Sequence, residues 1–346
     1  MDAGRLGAPP LGRVEFGGPD LPPRHLRNLL LSCVEQSPPG SRIDWATYYF
    51  RDRGLAASLI RASDRGVKVR LVMEASPRRS GANDEVIAML GSHGLGGGLH
   101  LSRSGWWSPG HLHAKIYAFS HPAIAWIGSF NPSGDDPEDP EVIAEIGDQD
   151  RGHNLLLGVE EPELVNALRD HVGALATSWS SLADRLRPSF NQAPSAPGNQ
   201  LFFYPRLRTL LVEPEIGRLA GGDLVQGAIS HLKPGPLTAA LARAARRGAQ
   251  IDLLVHDTER RVPSRLVGAL SDQGVRIRRV RHPEGLPMHS KFLLIDRSGI
   301  TAGWLGSYNY NWRSRYLNAE LLLRSTSTDV VQPLRERFER IAALAG

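Results

Sequence analysis

The chain carries two short sets of residues that say nearly the same thing: His113-Ala114-Lys115 followed by Gly128-Ser129-Phe130-Asn131, and His289-Ser290-Lys291 followed by Gly306-Ser307-Tyr308-Asn309. Such parts suit a phosphodiester. A catalyst for that anion must neutralise the phosphoryl oxygens, supply a nucleophile and protonate an alkoxide leaving group. Two imidazoles can divide the work, one attacking phosphorus and the other protonating the departing oxygen. Side chains two apart on a strand share a face, so His-x-Lys strands over 113–119 and 289–295 would each deliver an imidazole and an ammonium to one oxygen cluster. Asn131 and Asn309 can donate amide hydrogens to the same oxygens, and Ser129 and Ser307 hydroxyl hydrogens. Lys68, Lys115, Lys233 and Lys291 are the only lysines, and two of them fall in these motifs, where chance rarely puts them. No cysteine joins the set and no carboxylate cluster has ligand spacing, so neither a metal nor another cofactor is expected.

The motifs sit on a repeated scaffold. Residues 65–73, Arg-Gly-Val-Lys-Val-Arg-Leu-Val-Met, read like residues 247–255, Arg-Gly-Ala-Gln-Ile-Asp-Leu-Leu-Val, and without a gap Arg78-Arg79 aligns with Arg260-Arg261. Helical patterns over 55–63 and 237–245 precede the two Arg-Gly pairs. Helices over 84–90 and 264–271 follow, each with a glycine beyond it, Gly94 or Gly274. The halves close with strands over 154–159 and 320–323 and helices over 163–182 and 331–344. Pro188, Pro194 and Pro197, set among Ser, Gly and Asn, read as a linker. The expected division is an N-terminal extension over 1–24, a first half over 25–187, a linker over 188–200 and a second half over 201–346. Alternating strands and helices predict an α/β sandwich in each half, a mixed β-sheet flanked by helices.

At 346 residues, with 41% hydrophobic and 22% charged content, the chain has room for two cores and the composition of a soluble globular protein. No apolar run of about 18 residues suggests a spanning helix. No signal peptide is evident in the Gly- and Pro-rich N-terminus, and a cytoplasmic location is the default expectation. Cys33, alone in an apolar run, reads as a buried small hydrophobe. The net charge of +5 is carried almost wholly by arginine. With a pI near 9.6 it favours phosphate-bearing partners without choosing among them.

At these residues the chain resembles the phospholipase D superfamily, whose signature is His-x-Lys-x4-Asp with a downstream Gly-Ser-x-Asn. The second copy matches completely through His289, Lys291, Asp296, Gly306, Ser307 and Asn309, and Glu320 stands where the family usually carries a carboxylate that orients a histidine. The first copy departs from the pattern. Ser120 replaces the motif Asp, Asn154 falls opposite Glu320, and an acidic insertion, 134–141, lies between Asn131 and Asn154. The resemblance implies a monomer of two pseudo-twofold halves with one active site at their interface, and a two-step reaction through a covalent phosphohistidine. A carboxylate beside an imidazole favours its cation, while an amide orients the ring without that bias. Glu320 would then make His289 a ready general acid, and Asn154 would leave His113 neutral and nucleophilic. Tyrosyl-DNA phosphodiesterases look similar in having an amide-bearing partner on the nucleophile's side.

Other residues carry weaker expectations. Arg78, Arg79, Arg260 and Arg261 either clamp a substrate phosphate or headgroup or are solvated loop charge. Trp106 and Trp107 before the first motif, and Tyr308, Tyr310 and Trp312 around the second, are placed to stack on bases or lie against acyl chains; Trp304 suits the core. His111 shares a face with His113 and reads as an ordinary loop histidine, with substrate contact as the alternative. Arg276, Arg278, Arg279 and Arg281 suit a basic strand edge, leading towards His289 or simply keeping a surface edge soluble. The expected partner is a phosphodiester, either a phospholipid, with peripheral membrane contact, or nucleic acid. A lipid-directed hydrolase or phosphatidyl transferase comes first, a nuclease or DNA-end-processing phosphodiesterase second, and a non-enzymatic phosphate-binding scaffold third.

Overall fold

The computed structural model describes residues 14–345 apart from 105–108, 134–142, 144–145, 179–181, 188–189 and 208–209. Trp106, Trp107 and the acidic insertion therefore lie outside the described residues. The repeated segment folds the same way twice. Helix α1 spans His25–Gln36 and α2 spans Arg53–Asp64; Asp52 caps α2 by accepting from the Leu55 amide at 2.7 Å. Leu55, Leu59 and Ala62 recur at helical spacing on the buried face of α2. Gly66 then supplies a φ of +89°, which a side chain would resist, and Gly248 does the same at +91° in the second half.

The first sheet has seven strands: β1 Val14–Gly17, β2 Arg42–Thr47, β3 Lys68–Glu74, β4 Leu99–Ser102, β5 Ile116–Ser120, β6 Ala123–Gly128 and β7 Asn154–Val159, in the order β1-β7-β6-β5-β2-β3-β4. Helix α3, Asp84–His93, joins β3 to β4, and α4, Pro162–Ser178, and α5, Leu182–Arg185, follow β7. The second sheet has eight strands: β8 Ser195–Ala196, β9 Asn199–Tyr204, β10 Leu224–Ile229, β11 Gln250–His256, β12 Arg276–Val280, β13 Lys291–Arg297, β14 Ile300–Gly306 and β15 Glu320–Ser325, in the order β12-β11-β10-β13-β14-β15-β9-β8. Its helices are α6 Val212–Ile216, α7 Pro236–Arg246, α8 Ser264–Ser271, α9 Trp312–Tyr316 and α10 Thr328–Leu344. In both sheets the first pair of neighbours in each helical crossover runs parallel (β2 with β3, β10 with β11) and the motif hairpins run antiparallel (β5 with β6, β13 with β14). Both sheets are thus mixed, as expected.

Two stretches read from the sequence as extension and linker are partly built into the sheets. β1 pairs with the edge of β7, and Asp20 just beyond it chelates Arg337 of α10 at 2.7 and 2.9 Å. β8 and the start of β9 fall within 188–200, and β9 takes beside β15 the place that β1 takes beside β7. The prolines marked a change of sheet, yet the residues after them still found ladder partners.

Alternation along each strand divides the core. In β5, Tyr117 and Phe119 pack outward with Trp45, Trp126 and helices α1 to α3, while Ile116 and Ala118 face inward. In β13, Leu293 and Ile295 pack under α6 and α7, while Phe292 and Leu294 face inward. The inner faces of both sheets join one apolar cluster that includes Leu168 and Val172 of α4 and Leu334 and Phe338 of α10. The result is helix, sheet, helix, sheet, helix, with the long helices between the sheets. Cys33 is in the outer core of the first half, and burial pushes its thiol up to about 11. No helix among the described residues is long and apolar enough to cross a membrane.

Candidate active site

Two backbone bridges carry the chain across the interface between the sheets. Leu112 pairs in parallel with Ala319, and His153 with Met288. The first bridge is closed by the His113 amide donating to Ala319 O and the Ala319 amide donating to His111 O, each at 2.9 Å. The second is closed by the His153 amide donating to Pro287 O and the His289 amide donating to His153 O, also at 2.9 Å. Each bridge sets a histidine beside the first residue of the other half's last strand. His113 and His289 themselves lie just before β5 and β13, so the strand expected from each His begins three or two residues later.

That crossing reverses the expected pairing. His113 Nδ1 donates to Glu320 Oε2 at 2.8 Å, and His289 Nδ1 donates to Asn154 Oδ1 at 2.9 Å. The carboxylate stands behind the first histidine and the amide behind the second, because each bridge brings in the partner from the opposite half. With Nδ1 held as donor, the neutral ring keeps its lone pair on Nε2.

The Gly-Ser pairs hold these orienting residues. A Cβ at Gly128 would sit 2.3 Å from Leu155 O, and one at Gly306 would sit 2.4 Å from Leu321 O, so only glycine lets the neighbouring strand close in. Ser129 Oγ then donates to Asn154 Oδ1 at 3.0 Å and accepts the Leu155 amide at 3.0 Å. Ser307 Oγ donates to Glu320 Oε2 at 2.6 Å and accepts the Leu321 amide at 3.1 Å. Both serines are fully buried and have these partners, so the expected donation to phosphoryl oxygens gives way to a positioning role. Asn154, also fully buried, belongs to the same support, with its Nδ2 donating to Gln149 O. Glu320 takes further bonds from Ser314 Oγ at 2.6 Å and Asn318 Nδ2 at 3.4 Å.

The electrostatics follow from burying many cations around one carboxylate. Desolvation alone would raise the Glu320 carboxyl, but His113, Lys115 and the Ser307 hydroxyl together hold it below the usual range. Burial lowers His113 to about 4, with Glu320 opposing and Lys115 adding to the fall. Burial likewise lowers Lys115 to about 7. His289 and Lys291 are driven well below their ordinary values, by burial first and then by neighbouring cations. Lys115 Nζ donates to His113 O at 2.6 Å; Lys291 Nζ donates to His289 O at 2.8 Å and lies 3.1 Å from His289 Nε2. An anion entering here would restore the positive charge that burial suppresses.

A cavity of about 360 Å³ lies over the two histidines, lined by Asn131 and Asn309, by Arg78, Arg260 and Arg261, and by Tyr49 and His231 among others. Asn131 Oδ1 accepts the Tyr49 amide at 3.3 Å, and Asn309 Oδ1 has no hydrogen-bond partner among the described residues. Several expected residues are elsewhere. Asp296 lies at the far end of β13, accepting from Thr301 Oγ1 at 2.8 Å with Arg335 at 3.6 Å, so the motif Asp ties down a hairpin and does not support His289. Tyr308 is buried against Tyr204, with ring centroids 4.4 Å apart, whereas Trp304 lies in the core as expected, its Nε1 donating to Glu215 at 2.6 Å. Arg278 pairs with Asp252 at 2.9 Å and Arg279 donates to backbone carbonyls, leaving that run on the outer edge of the second sheet. Trp312 is exposed beside Asn311 and Arg313 of the cavity wall. Sequence reasoning missed Tyr48, Tyr49, His231 and Gln149. The first three follow β2 and β10 at matching positions, and strand ends pointing at a shared interface were the signal available.

Two histidines with paired lysines and amides lie over one cavity on a duplicated α/β fold. The cardiolipin synthase, PLD-like domain family model matches residues 32–139 and again 223–342, together more than half of the chain. The chain belongs to the phospholipase D superfamily. Its fold is similar to phosphatidylserine synthase of Haemophilus influenzae Rd KW20, with a TM-score of 0.70 over 96% of this chain and 86% of the other at 12% identity. It is also similar to polyphosphate kinase from Porphyromonas gingivalis, with a TM-score of 0.62 over 95% of this chain but only 50% of the kinase at 15% identity. A yeast tyrosyl-DNA phosphodiesterase variant matches with a TM-score of 0.51 over 92% of this chain and 90% of the other at 10% identity. No curated sequence matches the chain significantly.

Proposed function

We propose that the chain is a metal-independent phosphodiester hydrolase or transferase working through a covalent phosphohistidine on His113, with His289 as general acid. The observation that carries this reading is the unequal support of the two rings, a carboxylate behind His113 and an amide behind His289. When His113 Nε2 bonds to phosphorus, the ring becomes cationic, and the Nδ1 hydrogen bond to Glu320 stabilises that charge. The phosphorus–oxygen bond to the leaving group breaks as His289 gives its Nε2 proton to the departing oxygen. Water or an alcohol then gives a proton to His289, attacks phosphorus and expels His113. An acid backed by an amide and crowded by Lys291 holds its proton weakly, which favours transfer. Lys115, Lys291, Asn131 and Asn309 would share the phosphoryl oxygens. The nucleophile is thus the one expected from the sequence, for the opposite reason.

A phospholipid or similar phosphodiester is the favoured substrate. Supporting this are the cardiolipin synthase type of the matching family model, the near full-length likeness to a phosphatidylserine synthase, and exposed Trp312 beside the cavity. The arginine-rich wall also suits a nucleic acid, and binding that falls steeply with salt would favour that substrate over liposomes. The deciding experiment is turnover of bis(4-nitrophenyl) phosphate in EDTA, quenched in alkali for mass spectrometry. A phosphoryl adduct on His113 is expected; one on His289 alone would reverse the roles, and no turnover would leave the site a phosphate-binding relic.

A further inference from the structure

The repeat places Arg-Arg after β3 and again after β11, yet only in the second half does the second arginine line the cavity. The cause is the residue pair after the preceding strand. In the first half Tyr48 and Tyr49 fill the space, their hydroxyls accepting the Arg78 and Arg79 amides at 2.6 and 3.3 Å. In the second half Ser230 and His231 stand at those positions, and the smaller serine lets the Arg261 guanidinium turn inward, donating to Ser230 Oγ at 3.3 Å. Arg261 is only 6% exposed; Asp257 acts on it electrostatically, but no carboxylate among the described residues comes within ion-pair distance of it. Arg337, comparably buried, is chelated by Asp20. Burying a guanidinium without a directly paired counter-charge is costly, so a cavity wall that keeps one is built to be completed by an anion. His231 adds an Nδ1 without a hydrogen-bond partner among the described residues on the same wall, and Arg260 lines it too.

We propose that Ser230, His231, Arg260 and Arg261 form a second anion subsite beside His289, which binds a phosphate or carboxylate carried by the leaving portion of the substrate. The proposal rests on the catalytic reading above for the direction in which that portion departs. Arg261 is among the main charges that depress His289, Lys291 and His231, whereas it is not among those acting most strongly on His113. Ser230, which holds Arg261, donates its amide to Ser290 O at 3.0 Å, one residue from His289, so the arginine sits on the acid's side of the cavity. A substrate with one isolated negative charge would leave this wall uncompensated. One with a diphosphate, or with an acidic group next to the scissile ester, would fill both subsites.

The test is calorimetric binding of orthophosphate, pyrophosphate and phosphonoacetate to the full chain. Pyrophosphate is expected to bind about tenfold or more tightly than orthophosphate. Arg261→Gln should lose about tenfold for pyrophosphate and less than about threefold for orthophosphate, with Arg261→Lys between. Arg243→Gln, on an exposed helix face, should change neither. Phosphonoacetate matching pyrophosphate would mean that a carboxylate suffices, and weaker binding would mean that a second phosphate is read. A wild type with no preference for pyrophosphate, or an Arg261→Gln loss equal for both phosphates, would overturn the proposal. The wild-type preference does not depend on a variant's folding. It is also separate from turnover of bis(4-nitrophenyl) phosphate, so loss of the catalytic reading and loss of the subsite give different results.

Discussion

The two half-sites share a backbone and differ in what they ask of it. Each has a histidine before a hairpin, a glycine where strands close to within a Cβ's reach, and a buried serine holding an orienting residue from the start of the last strand. In the first half that residue is Asn154, which serves His289, and in the second it is Glu320, which serves His113. Duplication supplied two equal frames, and a single difference of amide against carboxylate makes one ring suited to carrying positive charge and the other to releasing a proton. A further difference, Tyr48-Tyr49 against Ser230-His231, decides which half presents a buried arginine to the cavity.

Mutating the histidines should break this comparison most sharply. His113→Ala is expected to lose about 10³-fold or more on any phosphodiester. His289→Ala should lose about 10²–10³-fold with an alkoxide leaving group but less than about tenfold with 4-nitrophenolate, which departs without a proton. Parallel kinetics on the two leaving groups check it, and equal losses in both variants would mean that the roles are not divided.

The orienting pair comes next. Glu320→Gln should cost about 10²-fold or more, because the cationic His113 intermediate loses its counter-charge. Asn154→Asp should raise the His289 pKa, so the limb of the pH–rate profile that reports loss of the acid's proton moves to higher pH. A profile that moves instead on the low-pH limb would place the carboxylate's influence on the wrong ring.

Anion binding sharpens the shared part of the site. Lys115 is lowered to about 7 by burial, so above that pH it must take up a proton to face a phosphate. Affinity for orthophosphate should therefore fall as pH rises through about 7, by up to about tenfold per pH unit for each lysine that must protonate. Calorimetry in buffers of different ionisation enthalpy should show proton uptake above that pH; proton release there would contradict it.

The smallest effects separate support from ornament. Ser307→Ala should destabilise the fold by about 1 kcal/mol through its lost bonds to Glu320 and Leu321, with a lower Tm. Asp296→Asn, which touches only a hairpin and Arg335, should stay within about 0.5 kcal/mol and leave the rate unchanged.

Much of this arrangement was legible beforehand. The helix over 264–271 and the strand over 154–159 have the bounds their periodicity predicts, and the duplicated motifs meet at one cavity. Local pattern sufficed there, since period and capping act over a few residues. It failed for residues 14–17 and 199–200, whose strand pairing depends on sheet edges built from sequence far away. It failed too for Ser129, Ser307 and Asp296, whose polar groups could serve either substrate or scaffold until their partners were in view.

By itself the sequence determined that the His-x-Lys and Gly-Ser-x-Asn motifs are duplicated, and that one half has Glu320 where the other has Asn154. Only the tertiary structure decided which histidine each one serves. His113 and Glu320 are 207 residues apart and His289 and Asn154 are 135 apart, joined because backbone bridges cross the interface between the sheets. Spacing within a repeat cannot encode that crossing, since an imidazole's partner is set by which strand end comes within hydrogen-bond reach.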